Sequence, residues 1–193
     1  MGFNGGELKM NWSPDIYEKA WHFATFAHKE QTYGGRKKGM RVPYINHIAS
    51  VTMEVTWGLQ CVPQSDHNLA IQCALLHDTI EDTEVTYKDV LQTFGKRVAD
   101  GVMALSKNEA LGTKSEQMRD SLKRIKEQPQ EVWMVKMADR IANLYYPPHY
   151  WKKDKILRYQ EEARTIHEYL HESNALLSQR LEEKIEQYQR FLH

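Results

Sequence analysis

Cysteine is scarce in this chain: only Cys61 and Cys73 occur among 193 residues, and they form no CxxC pair. Two such residues cannot build a disulfide framework. Stability must therefore come from a packed core, and a reducing, cytoplasmic setting is expected. Net charge is also lacking, since 26 Lys and Arg balance 26 Asp and Glu. Dedicated nucleic-acid and membrane-surface binders usually carry a basic excess, so this balance argues against both, though not against a local basic patch. No run approaches the roughly 18–20 apolar residues that span a bilayer. Residues 1–11 contain no apolar h-region of the signal-peptide kind and include Gly2, Gly5 and Gly6. They read as a flexible lead-in, which leaves 12–193 as one domain, long enough for a full core.

Helical periodicity is what the chain has in quantity. Ser13-Pro14 reads as N-cap and first helical residue, and Ile16, Ala20, Phe23, Ala24 and Ala27 follow a helical period toward Gln31. The stretch "TYGGRKKGMRVP" (32–43) reads as a glycine-rich basic loop. A second helix is expected over about 44–57, and a third, capped by Asp66, runs into "ALLHDTIEDT". Thr86 caps a short helix that Gly95 breaks, and a further helix resumes at Lys96. Beyond the polar stretch 106–116, helices are expected at about 115–127 and 130–144. After "YYPPHY" two long amphipathic helices follow, at about 153–171 and 174–191. The Met and Trp residues read as core, and no segment alternates convincingly at period two. The expected fold is all-α, a single bundle of roughly eight helices.

One stretch does not suit a plain bundle. The apolar run Ala70–Leu76 is followed within eight positions by His77, Asp78, Glu81, Asp82 and Glu84. Buried charge is costly unless paired or bound to a metal. His77 and Asp78 can both reach an ion lying over the helix edge. A divalent ion needs more donors, and two stand out: His47, in "PYINH", and Asp139, in the otherwise apolar "VKMADRIANL". Two imidazoles and two carboxylates form a mixed nitrogen and oxygen set that suits Mn²⁺, with Fe²⁺ or Zn²⁺ also possible. If the helix continues for one turn, Glu81 and Asp82 lie at i+4 from His77 and Asp78, beside the ion. Lys136, Asp139 and Asn143 share one helix face. Lys136 could meet a phosphate or pair with a carboxylate. Tyr44 reads equally as packing or as pocket wall.

The motifs "PYINH", "ALLHDTIEDT" and "KMADRIANL", in this order, resemble the HD superfamily of metal-dependent phosphohydrolases. More closely, they resemble the hydrolase domain of RelA/SpoT-type proteins, in the stand-alone Mesh1-like form of small alarmone hydrolase. The resemblance implies an HD-domain helical fold and metal binding by His47, His77, Asp78 and Asp139. It implies that Glu81 and Asp82 act on the water nucleophile, and that a metal-activated water removes the 3′-pyrophosphate of (p)ppGpp. It also implies nucleotide contacts from Asn143 and from the basic group Arg36, Lys37 and Lys38 just before "PY". Here the chain departs from the pattern: extra residues flank that basic group, so Arg41 could take the place of Arg36, and Ile48 stands where a proline often follows the ligand histidine. Two other readings stay open: an HD phosphohydrolase for another nucleotide, such as a dinucleotide or NADPH, and a nucleotide-binding sensor without turnover. The partner expected is a small nucleotide, not a nucleic acid or a membrane.

Overall fold

The computed structural model describes residues 11–35 and 37–192. Arg36 and residues 1–10 of the expected lead-in lie outside that range. Asn11, at the end of that lead-in, is tied down, because its N–H donates to His67 Nδ1 at 3.1 Å.

Ten α-helices are present among the described residues: α1 (Pro14–Ala27), α2 (Ile45–Gly58), α3 (His67–Leu76), α4 (Thr79–Asp82), α5 (Tyr87–Phe94), α6 (Lys96–Leu105), α7 (Lys114–Lys126), α8 (Gln130–Asn143), α9 (Lys153–Leu170) and α10 (Ala175–Gln187). The all-α expectation holds. The central element is α3, in which Leu69, Ala70, Ile71 and the run Cys73–Leu76 are all buried. A helix apolar on all sides must be enclosed, and α1, α2, α6 and α8 pack around it. The outer helices α9 and α10 cover α8 with the stripes their spacing implies, Ile156, Ala163, Ile166 and Leu170 with the half-buried Tyr159 on one, and Leu177, Leu181 and Ile185 on the other, the buried Tyr188 lying just beyond α10.

The caps explain most boundaries. Asp66 accepts from the Leu69 N–H at 3.0 Å, and Asn174 does the same for Leu177. Thr86 with Asp89, and Thr113 with Glu116, form reciprocal capping boxes. Ser13 differs from expectation: it makes no side-chain cap, and its N–H instead donates to Asn68 Oδ1 at 2.8 Å, tying α1 to α3. Helix α1 also ends earlier than expected, at Ala27, with His28 as its C-cap.

Three further differences have local causes. The glycine-rich loop contains an antiparallel hairpin, β1 (Thr32–Gly34) with β2 (Arg41–Pro43), Tyr33 facing Val42. Strands of three residues are too short to display alternation, and Gly39 turns the chain at φ +84°. Helix α3 does not run on into the acidic cluster. It ends at Leu76, and the chain bends through His77 and Asp78 (φ −101°, ψ 0°) before the single turn α4. Finally, Met134 and Met137 are core residues as expected, but Met53, Met103 and Trp57 are exposed.

The closeness of α6 to α3 and α8 depends on Gly101. A Cβ there would lie 2.8 Å from Cys73 Sγ and 2.9 Å from Val132 Cγ2. Gly101→Ala should therefore destabilise by about 1–2 kcal/mol even after a helix-propensity gain of roughly 1 kcal/mol. Urea unfolding checks this: a lowered midpoint with an unchanged slope is expected, and an unchanged midpoint would contradict it.

Candidate metal centre

The bend after α3 carries the donors to a common point. One ligand atom each from His47, His77 and Asp78 lies within 4.8 Å of the others. His47 projects from the first turn of α2, and its Nε2 stands 3.7 Å from Asp78 Oδ2. His77 Nε2 is 2.9 Å from the same oxygen. Asp139, from α8, approaches through His47, with Oδ1 at 3.3 Å from Nε2. Three stretches distant in sequence, carrying His47, the pair His77-Asp78 and Asp139, thus meet between α2, the end of α3 and α8.

The supporting bonds say what these atoms are waiting for. His77 Nδ1 donates to the Ala74 carbonyl at 2.8 Å, which leaves Nε2 as the bare acceptor. That nitrogen is buried without a hydrogen-bond partner, facing a carboxylate oxygen. Two acceptors at such a distance are unfavourable unless a proton or a cation lies between them. Burial alone would lower the His77 pKa, but the charge and hydrogen bonding of Asp78, together with the charge of Asp139, override it and push the imidazole up to about 9. Burial raises the Asp78 and Asp139 carboxyls, yet they are held below the ordinary range: Asp78 by His77 and His47, Asp139 by Lys136 and the same two histidines. The donor set and its bare nitrogen fit a divalent cation.

Each carboxylate is also braced. Tyr44 donates its hydroxyl to Asp78 Oδ2 at 2.6 Å, so it is a hydrogen-bonding partner of the centre rather than a mere wall. Asn143 Nδ2 donates to Asp139 Oδ1 at 2.6 Å, and Lys136 Nζ to Oδ2 at 3.3 Å. Lys136 therefore pairs with the carboxylate of its own helix.

Glu81 and Asp82 diverge. Glu81 is held by Lys107, whose backbone N–H donates to Oε2 at 2.8 Å and whose ammonium pairs with Oε1. Asp82 faces the other way, toward Gln31 Nε2 at 3.4 Å and Tyr44. Partial burial and the charges of Asp78 and Glu81 raise its pKa. Lys37 and Lys38 are exposed at the tip of the hairpin. Arg41 is bound back onto the hairpin, its Nε donating to Thr32 Oγ1 at 2.8 Å. Sequence reasoning missed Lys107, His28 and Gln31. Lys107 lies in a polar loop with no spacing relation to Glu81, whereas His28 and Gln31 read as an ordinary helix end.

Several known proteins are similar over most of the chain. The guanosine-3′,5′-bis(diphosphate) 3′-pyrophosphohydrolase MESH1 of Danio rerio is 28% identical over 166 residues, covering 84% of this chain and 88% of the relative. Its counterpart in Xenopus tropicalis is 29% identical, covering 85% and 89%. The GTP pyrophosphokinase rsh of Brucella ovis is 32% identical over 83% of this chain, which spans only 21% of that longer protein. A solved structure reported as a metazoan ortholog of SpoT that hydrolyzes ppGpp superposes with a TM-score of 0.76 at 26% identity, covering 94% of this chain and 99% of that one.

The geometry predicts that a cation and a proton compete for His77. With its pKa near 9, the imidazole is protonated at neutral pH in the metal-free protein, so metal binding should expel about one proton there and affinity should fall as pH is lowered. Calorimetric titration in buffers of different ionisation enthalpy counts that proton, and a pH-independent affinity with no proton release would contradict the assignment. The family model described as HD domain matches residues 20–176, a span that includes His47, His77, Asp78 and Asp139. The chain belongs to the HD domain family.

Proposed function

We propose that this chain is a cytoplasmic, Mn²⁺-dependent pyrophosphohydrolase that removes the 3′-diphosphate of (p)ppGpp, with residues 12–193 as its single hydrolase domain. The grouping of His47, His77 and Asp78 around a bare acceptor nitrogen, with Asp139 beside His47, is the observation that carries the reading. It is supported by MESH1 relatives that this chain matches over most of both lengths. The mixed imidazole and carboxylate set favours Mn²⁺, with Fe²⁺ or Zn²⁺ as substitutes.

His47, His77, Asp78 and Asp139 would hold a divalent cation, which would supply Lewis acidity to activate water at neutral pH and offset phosphate charge. The chain's residues supply the rest. Tyr44 orients Asp78, while Asn143 and Lys136 orient Asp139. Asp82 accepts the proton of the attacking water. Its raised pKa makes it a better base than an ordinary surface aspartate, and its partial exposure leaves it open to the reacting groups. Glu81, fixed by Lys107, orients the water. Lys37 and Lys38 at the hairpin tip meet the nucleotide phosphates, and Arg36, or Arg41 in its place, contacts the nucleotide. Tyr44 lines the approach, and Asn143 contacts the nucleotide through whatever donor capacity Asp139 leaves it.

The test is pyrophosphate release from ppGpp by metal-stripped protein, with and without Mn²⁺, alongside Asp78→Ala. Release that requires Mn²⁺ and disappears in the variant is expected, and no release by folded, Mn²⁺-loaded protein would overturn the substrate assignment. Asp82→Asn should lower kcat by about 10²–10⁴ while leaving metal content unchanged. Because Asp82 must be ionised to accept a proton and its pKa is raised, wild-type kcat/KM should fall on acidification at a pH above the ordinary aspartate range. A flat acid limb, or an Asp82→Asn variant of full activity, would remove Asp82 from that role.

A further inference from the structure

Near the metal centre a second buried imidazole nitrogen, besides that of His77, is without a hydrogen-bond partner among the described residues: Nε2 of His28. His28 is 2% exposed at the C-cap of α1. Its other nitrogen, Nδ1, lies 2.5 Å from Gln31 Oε1. The amide nitrogen of Gln31 points to Asp82 Oδ2 at 3.4 Å. That carboxylate decides the orientation of the amide, because a reversed Gln31 would set its carbonyl oxygen against a negative oxygen. With Oε1 toward His28, Nδ1 must carry the hydrogen and donate it. Burial, the largest influence on this imidazole, lowers its pKa and keeps the ring in that neutral form.

The other face of the arrangement is aromatic. The His28 ring packs on Tyr44 with centroids 5.0 Å apart, and Tyr44 holds Asp78. The backbone joins the same groups, since Gln31 N–H donates to the His28 carbonyl at 3.0 Å and Tyr44 N–H to the Gln31 carbonyl at 2.9 Å. One side chain thus touches the supports of two carboxylates, Asp78 and Asp82. Core filling alone would be served better by an apolar ring, which has no nitrogen to leave unpartnered.

We propose that His28 is a positioning residue that sets the orientation of the Asp82 carboxylate through Gln31, while its ring braces Tyr44 and so Asp78. The inference rests on the reading of Asp82 as proton acceptor given above. His28 touches neither cation nor substrate; it fixes the amide that fixes the base.

Four variants test it: His28→Phe, His28→Asn, Gln31→Ala and the double variant His28→Phe/Gln31→Ala. Phenylalanine keeps the ring against Tyr44 and loses the donor, whereas asparagine restores a donor near the position of Nδ1. His28→Phe should keep its Tm and Mn²⁺ content and lose about tenfold in kcat, with KM within about twofold. His28→Asn should recover most of that loss. The double variant should be no slower than Gln31→Ala, because the two residues act in series. A His28→Phe enzyme with wild-type kcat, or losses that multiply in the double variant, would overturn the proposal. A readout independent of turnover is the Gln31 side-chain amide in NMR, assigned by its disappearance in Gln31→Ala. Its hydrogen exchange should be faster in His28→Phe than in wild type and return toward the wild-type rate in His28→Asn, and unchanged exchange in His28→Phe would also overturn the proposal. If wild-type protein releases no pyrophosphate, the substrate assignment fails, while the amide still decides whether His28 holds Gln31.

Discussion

At the end of α3 a histidine nitrogen that must hold either a proton or a cation faces an aspartate oxygen at 2.9 Å, and a second histidine and a second aspartate close in from α2 and α8. Such a group of acceptors, removed from water, is tenable only with positive charge at its centre. Lys136 meets part of that need at Asp139. The remainder calls for a proton on imidazole or a divalent ion, and the competition between them couples metal binding to pH. Much of the surrounding structure serves to hold those acceptors in place against their mutual repulsion.

The two carboxylates that follow the break at 77–78 are treated differently by their surroundings. A continuous helix would set Glu81 and Asp82 directly above His77 and Asp78, four like-minded acceptors in two stacked pairs. Here their side chains part instead. Glu81 swings to Lys107, and Asp82 to Gln31 and Tyr44. The two carboxylates therefore differ in character, one neutralised in an ion pair and the other left with a raised pKa beside the centre. Environments that part otherwise equal carboxylates are how one site comes to hold both a fixed charge and a base.

The helices were legible because amphipathic stripes and caps are local signals. Asp66, Thr86 and the stripes of α9 and α10 behave as their spacing implies. The grouping of His47, His77 and Asp78, with Asp139 beside His47, was legible only jointly, through motifs whose order resembles a known family; singly, each would read as an ordinary helix residue. The hairpin at 32–43 was hidden by its brevity, and the break at 77–78 because no glycine or proline marks it and both residues keep near-helical dihedrals. Lys107, His28 and Gln31 were missed because their roles depend on contacts across tertiary structure, 26 residues away for Lys107 and 51 for Gln31. Period and cap carry no record of such distances.

The central claim, that one divalent cation occupies the meeting point of α2, α3 and α8, is tested most directly by anomalous X-ray diffraction at the manganese edge on crystals grown with Mn²⁺. The account predicts one strong peak within coordination distance of His47 Nε2, His77 Nε2, Asp78 and Asp139, with the His77 ring still bound to the Ala74 carbonyl. A centre without a peak, or a manganese held elsewhere while these four side chains keep to themselves, would contradict it.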